Sequence, residues 1–198
     1  YEIAQCLVGS EMCIRDRHKN VITDLFGGQY YVDSYNRKSV LAENSVNGGV
    51  TSWVNQKLGV GDVIRRDYDG FVMYEGGFAQ LEYNKDKVSA FVSGGLTNTS
   101  YWRKDRFYYS GDKQLSSKKH YLGGNVKAGL NYNLDDYNNV FFNTGFISRA
   151  PIFDNTFINS QSSHERNPDA KNEKVYSFEL GYGYRSQYFS ANVNAYYT

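Results

Sequence analysis

The stretch Glu173-Lys-Val-Tyr-Ser-Phe-Glu-Leu-Gly-Tyr-Gly-Tyr-Arg185, followed after a short break by Tyr188-Phe-Ser-Ala-Asn-Val-Asn-Ala-Tyr-Tyr-Thr198, reads as strand, tight turn, strand. In the first arm Tyr176, Phe178, Leu180, Tyr182 and Tyr184 fall on one face, and Ser177, Glu179, Gly181, Gly183 and Arg185 on the other. That is the period of two expected when successive side chains point to opposite sides of a sheet. In the second arm Phe189, Ala191, Val193, Ala195 and Tyr197 alternate with Ser190, Asn192, Asn194, Tyr196 and Thr198. The apolar face must meet something oily: the core of a soluble β-sandwich, or membrane hydrocarbon with water on the polar side. Aromatics at the ends of the arms favour the membrane, because Tyr buries its ring and keeps its hydroxyl at headgroup level.

Upstream the same alternation recurs. Gly77, Ala79, Leu81 and Tyr83 oppose Phe78, Gln80 and Glu82, in a strand starting at Gly70 and turned by Asn84-Lys85-Asp86-Lys87. Val88, Ala90, Val92, Gly94 and Leu96 form the return strand. Leu122 to Leu130 and Val140 to Phe146 give two more, within Tyr121–Tyr132 and Asn139–Arg149. The connections alternate in length: short at Asn84, Asn133 and Arg185, and long over Ser39–Asp69, Asn98–His120 and Ala150–Asn172. Outer-membrane barrels have short periplasmic turns and long outer loops, whereas soluble sheets mix loop lengths without such regularity.

Composition fits this picture. Tyr and Gly each number 19, Pro only 2, and no run approaches the roughly 18 apolar residues a membrane helix needs. A low mean hydropathy does not count against a barrel, since only alternate residues of each strand touch lipid. The net charge of +1 and the absence of a basic stripe interleaved with stacking aromatics argue against nucleic acid. No serine-histidine-aspartate ordering, nucleophile elbow or phosphate loop points to catalysis, so the chain does not read as an enzyme. Asp135 and Asp136 read as turn chemistry.

Both cysteines lie in Cys6-Leu-Val-Gly-Ser-Glu-Met-Cys-Ile-Arg-Asp-Arg17, which resembles the translation of a short-read sequencing adapter. Residues 1–17 are accordingly expected to be non-native, and no disulfide or metal argument is built on them. Residues 18–198 are read as a fragment of one β-domain, open at both ends.

Four segments together carry a family resemblance. They are Gly77-Phe-Ala-Gln-Leu-Glu-Tyr83, Leu122-Gly-Gly-Asn-Val-Lys-Ala-Gly-Leu-Asn-Tyr132, Asn139-Val-Phe-Phe-Asn-Thr-Gly-Phe-Ile-Ser-Arg-Ala-Pro151 and Asn172-Glu-Lys-Val-Tyr-Ser-Phe-Glu-Leu-Gly-Tyr-Gly183. In order and spacing they resemble the barrel of TonB-dependent outer-membrane receptors. The expected fold is all-β, an open antiparallel sheet of about six or seven long strands cut from a transmembrane barrel of about 22. The resemblance implies an outer-membrane location with lipid around the barrel, a plug domain inside it, and TonB-energised uptake of a scarce small molecule or oligosaccharide: glycan, siderophore or cobalamin. The plug and the TonB-contacting segment are not in this sequence. Two other classes stay open: a non-transport barrel, either adhesin or barrel enzyme, and a secreted carbohydrate-binding β-domain.

Candidate ligand contacts sit in the long connections. Tyr101, Trp102, Arg103, Arg106 and Tyr108 can clamp a ligand by stacking and charged hydrogen bonds, or simply decorate a solvated loop. His164 and Arg166 are further candidates against a solvent-exposed alternative, and Arg149 is either a rim contact or an interfacial anchor. Gln80, Glu82, Asn125, Lys127, Asn143, Glu179, Arg185 and Asn192 lie on the polar face and would look into the lumen towards the plug. No metal site or cofactor is expected, since His18 and His120 lack ligand-spaced partners.

Overall fold

The computed structural model describes residues 3–8, 12–32, 40–41, 50–52 and 57–198, and these are overwhelmingly β-structure with no α-helix. β1 (Ile3–Val8) and β2 (Met12–Val21) come first. Four short strands follow: β3 (Tyr31–Val32), β4 (Val40–Leu41), β5 (Val50–Ser52) and β6 (Lys57–Leu58). Six more carry the architecture: β7 (Val63–Lys85), β8 (Val88–Asp105), β9 (Lys119–Asn133), β10 (Asn138–Arg149), β11 (Glu173–Arg185) and β12 (Ser190–Tyr197).

From β7 to β12 each strand pairs antiparallel with the next in one open sheet. β1 and β2 lie end to end along the other side of β7, opposite Gly77–Glu82 and Val63–Tyr74, so the sheet is 7 strands wide. The part of the adapter-like segment within the described residues is thus paired as strand. β3 with β6, and β4 with β5, make two small separate ribbons.

Register aligns the apolar residues of successive strands. One row runs Tyr83, Ala90, Leu130, Phe142, Leu180, Ala195, and the next Leu81, Val92, Ala128, Thr144, Phe178, Tyr197. A one-residue slip of any strand would turn its whole apolar set to the other side, so this agreement across six strands fixes the pairing. The face is uncovered: Leu180 is 63% exposed, Val193 71% and Val126 53%. Rows on the opposite face are polar, for example Gln80, Ser93, Lys127, Gly145, Ser177. There Phe91 and Phe141 lie over Gly129 and Gly181, where a Cβ would collide with the ring.

The two rims differ. Short turns close one: Asp86-Lys87, residues 134–137 and residues 186–189. Asp86 takes a φ of 50°, which Asp tolerates better than most residues. In the next turn Asp135 Oδ1 accepts the amide protons of Tyr137 and Asn138, both at 2.8 Å, so its carboxyl sits below the usual range. Asp135 is turn chemistry, as its sequence suggested. At the other rim stand residues 106–118 and 150–172.

Three boundaries differ from expectation. The long strand begins at Val63 rather than Gly70, its partner continues past Thr97 to Asp105, and β9 starts at Lys119. The stretch expected as the loop Asn98–His120 is therefore loop only over residues 106–118. Much of the expected loop Ser39–Asp69, namely residues 42–49 and 53–56 with Ser39 itself, lies outside the described residues.

Candidate functional site

Buried side chains gather at the long-connection rim, not beneath the apolar face. Tyr68, Tyr101, Phe107, Tyr109, Tyr121 and Phe157 are buried there together with Arg103, Asp105, Ser116 and Thr156. Five of them come from the upper part of β8 and the residues just beyond its end. Tyr101, Arg103, Asp105, Phe107 and Tyr109 are buried, while Trp102, Lys104, Arg106, Tyr108 and Ser110 between them are partly exposed. The strand alternation continues here with charged residues inside.

Arg103 is 0% exposed. Its Nη2 donates to Asp105 Oδ2 at 2.6 Å and its Nη1 to the Ser163 carbonyl at 2.6 Å. The guanidinium lies 4.5 Å over the Tyr68 ring and 5.8 Å from that of Phe157. Asp105 Oδ1 accepts the amides of Phe107 and Tyr108, both at 2.8 Å, which starts the 106–118 connection. That connection returns through Ser116, whose amide reaches the Arg103 carbonyl and whose Oγ accepts the Arg103 amide, each at 2.9 Å. A buried ion pair survives only when its remaining donors and acceptors are met, and here backbone groups from both connections meet most of them.

Residues 150–172 lie over this cluster. Tyr101 donates its hydroxyl to the Pro151 carbonyl at 2.8 Å, and Phe153 meets Tyr101 edge-on at 5.8 Å. Gly70 makes room for Phe153, since a Cβ there would stand 3.0 Å from the ring. Phe153 packs on Phe157, which bridges to Arg166 in the backbone and lies 4.5 Å beneath its guanidinium. Arg166 also donates to the Ser117 carbonyl. His164 stacks on Tyr109 at 3.8 Å, and its amide donates to the Tyr109 hydroxyl at 2.9 Å. Its Nε2 stands 3.1 Å from the carbonyls of Lys113 and Gln114. Carbonyls only accept, so Nε2 carries the ring proton. Burial first, and then the nearby Arg103 charge, push His164 down to about 4.

These positions correct the reading of the candidate clamp. Tyr101, Trp102 and Arg103 stand on a strand, and the groups Tyr101 and Arg103 would offer a ligand are engaged within the chain. Trp102 points to the opposite face, stacked on Phe71 at 5.2 Å with Lys118 Nζ 4.4 Å above it. Arg106 pairs with Asp69 at 2.5 Å, and the Tyr108 hydroxyl donates to the Arg65 carbonyl at 3.0 Å. His164 and Arg166 join Tyr101 and Arg103 in the cluster instead of pointing freely to solvent. Arg149 stands apart, exposed and paired with Glu173 at 2.6 Å. The sequence reading missed Asp105, Tyr68, Phe153 and Phe157. The signal available for Asp105 was Arg103-x-Asp105, opposite charges two apart on a strand.

Gln80, Glu82, Asn125, Lys127, Asn143, Glu179, Arg185 and Asn192 do share one face, as the register requires. Glu179 accepts from Asn143 at 2.9 Å and from Asn194 at 2.6 Å, and Gln80 donates to Glu82 at 2.5 Å. A shallow trough there is lined by Gln80, Glu82, Phe91, Asn131, Phe141 and Asn143. No group of three or more potential metal ligands occurs among the described residues. No family model matches the chain, and no curated protein is significantly similar to it.

Proposed function

We propose that the chain is part of the wall of a TonB-dependent outer-membrane receptor that imports a scarce nutrient: a glycan, a siderophore or a cobalamin-like ligand. The observation that carries this reading is the apolar face, continuous over six strands in register and uncovered throughout. A soluble sheet hides such a face under a second layer, because exposed apolar patches of this extent are rare on soluble proteins. Its height is also appropriate: Val88 to Leu96 spans about 27 Å at roughly 3.4 Å per residue, or about 21 Å upright at a tilt near 40°. Lipid-facing bands of barrels stand about 25 Å tall. In this reading the short turns face the periplasm, the long connections face outwards, and the amide- and carboxylate-bearing wall receives the plug.

Two measurements test the proposal, one on the purified protein and one in its own cell. Single Trp substitutions at Leu180 and at Asn143, in the purified receptor reconstituted with brominated lipid, report which face meets acyl chains. Quenching is expected at position 180 and not at 143, and the reverse pattern or none at either refutes the lipid assignment. Uptake of labelled glycan, siderophore and cobalamin probes is compared between the parent strain and strains lacking the gene or TonB. Loss of one uptake in both deletions supports import, and unchanged uptake of all three overturns it.

A further inference from the structure

We propose that residues 106–118 and 150–172 form one preassembled cap, and that His164 is the latch between them, opened when its ring takes a second proton. This stands on the geometry of the connections and not on the transport reading. Residues 106–118 contribute the Tyr109 ring and hydroxyl and the carbonyls of Lys113 and Gln114, and every one of these is held by His164. Besides His164, Arg166 ties the same two segments together through the Ser117 carbonyl, and Arg103 on β8 holds each of them, through Ser163 and Ser116.

The latch tolerates only the neutral ring. Nε2 already donates to two carbonyls, so an added proton must go to Nδ1, which is buried and has no hydrogen-bond partner among the described residues. A buried N–H left without an acceptor is costly, and a buried charge more so. The charged groups around the ring do not help. Arg103 approaches from β8 with its charge matched by Asp105, Arg166 from the same connection has carbonyl partners, and the residue stacked from 106–118 is the uncharged Tyr109. With the cap open the ring regains its ordinary basicity. The open form therefore binds the proton more tightly, and closure is complete above the ordinary histidine range and lost as pH falls through about 4.

The test is a distance measurement between spin labels on Asp112→Cys and Gln161→Cys, both exposed positions, in the full chain with Cys6 and Cys13 changed to Ser. One narrow distance is expected at neutral pH. It should broaden and lengthen as pH falls from the ordinary histidine range to about 4, over which the closed-to-open ratio drops by roughly 100-fold or more, and change little further below. His164→Gln keeps an N–H for the two carbonyls but takes no proton in this range, so it should stay closed throughout. His164→Ala should be open even at neutral pH. An unchanged distance in the parent protein down to about pH 3 refutes the latch, since a proton on His164 would then be accommodated. So does a parent-like transition in His164→Gln, or a closed cap in His164→Ala.

Discussion

Replacing Leu180 by Lys separates lipid from water as the solvent of the apolar face. Leu180 lies midway between Tyr176 and Tyr184 on β11, about 14 Å along the strand from each at roughly 3.4 Å per residue. In register it is flanked by Phe142 on β10 and Ala195 on β12, and it is 63% exposed. If those neighbours face acyl chains, position 180 is at the bilayer midplane, where Lys on a barrel costs about 2–4 kcal/mol. That is a loss of roughly 30- to 900-fold in the folding equilibrium at 1.36 kcal/mol per decade. If the face meets water, an exposed Leu→Lys change lies within about 0.5 kcal/mol of neutral. The assay is reversible guanidinium unfolding of the protein from phospholipid vesicles, with Ser177→Lys on the opposite face as the control. A cost at Leu180 below about 0.5 kcal/mol, or equal costs at both positions, would sink the lipid reading.

Asp105→Asn should destabilise the cap by about 3–5 kcal/mol, because it strands the fully buried Arg103, and much of the loss should return in Arg103→Met/Asp105→Leu. Hydrogen exchange of residues 106–118 reads both. Arg149→Ala, which breaks an exposed pair, should leave the same exchange and the unfolding midpoint where they were. Gly181→Ala should cost about 1–3 kcal/mol by forcing the Phe141 ring off the wall, and Phe141→Ala should remove that penalty in the double variant; denaturant midpoints decide it.

The strands that the sequence revealed are those whose two faces differ in polarity. Along β11 the expected span, Glu173–Arg185, is the observed one, because apolar and polar positions alternate from end to end. The same holds where β10 lies between β9 and β11, so register could be read from hydropathy alone. Above that band the alternation loses its chemical contrast while the strands go on. On β7 the segment Val63-Ile-Arg-Arg-Asp-Tyr-Asp69 carries charge on both faces, with Asp69 1% exposed on one and Tyr68 2% exposed on the other. On β8 the inward set is Tyr101, Arg103 and Asp105, which a hydropathy scale scores as loop.

What keeps those segments extended is not visible along either strand by itself. The β7–β8 ladder runs unbroken to Tyr68↔Asp105, and each residue gains its cover from sequence far away: Ser116 for the Arg103 backbone, Ser163 for its guanidinium, Phe153 for Gly70. Long-range cover of this kind leaves a local trace only where partners sit two apart, as Arg103 and Asp105 do. The candidate ligand residues were legible as residue types for the same reason that their role was not. Aromatic and guanidinium groups suit a ligand clamp and a self-packed cap equally well. Which of the two they make is decided by whether a second segment brings carbonyls to meet the donors. Here residues 150–172 bring them, so any ligand that used Tyr101 or Arg103 would first have to displace the chain's own cover.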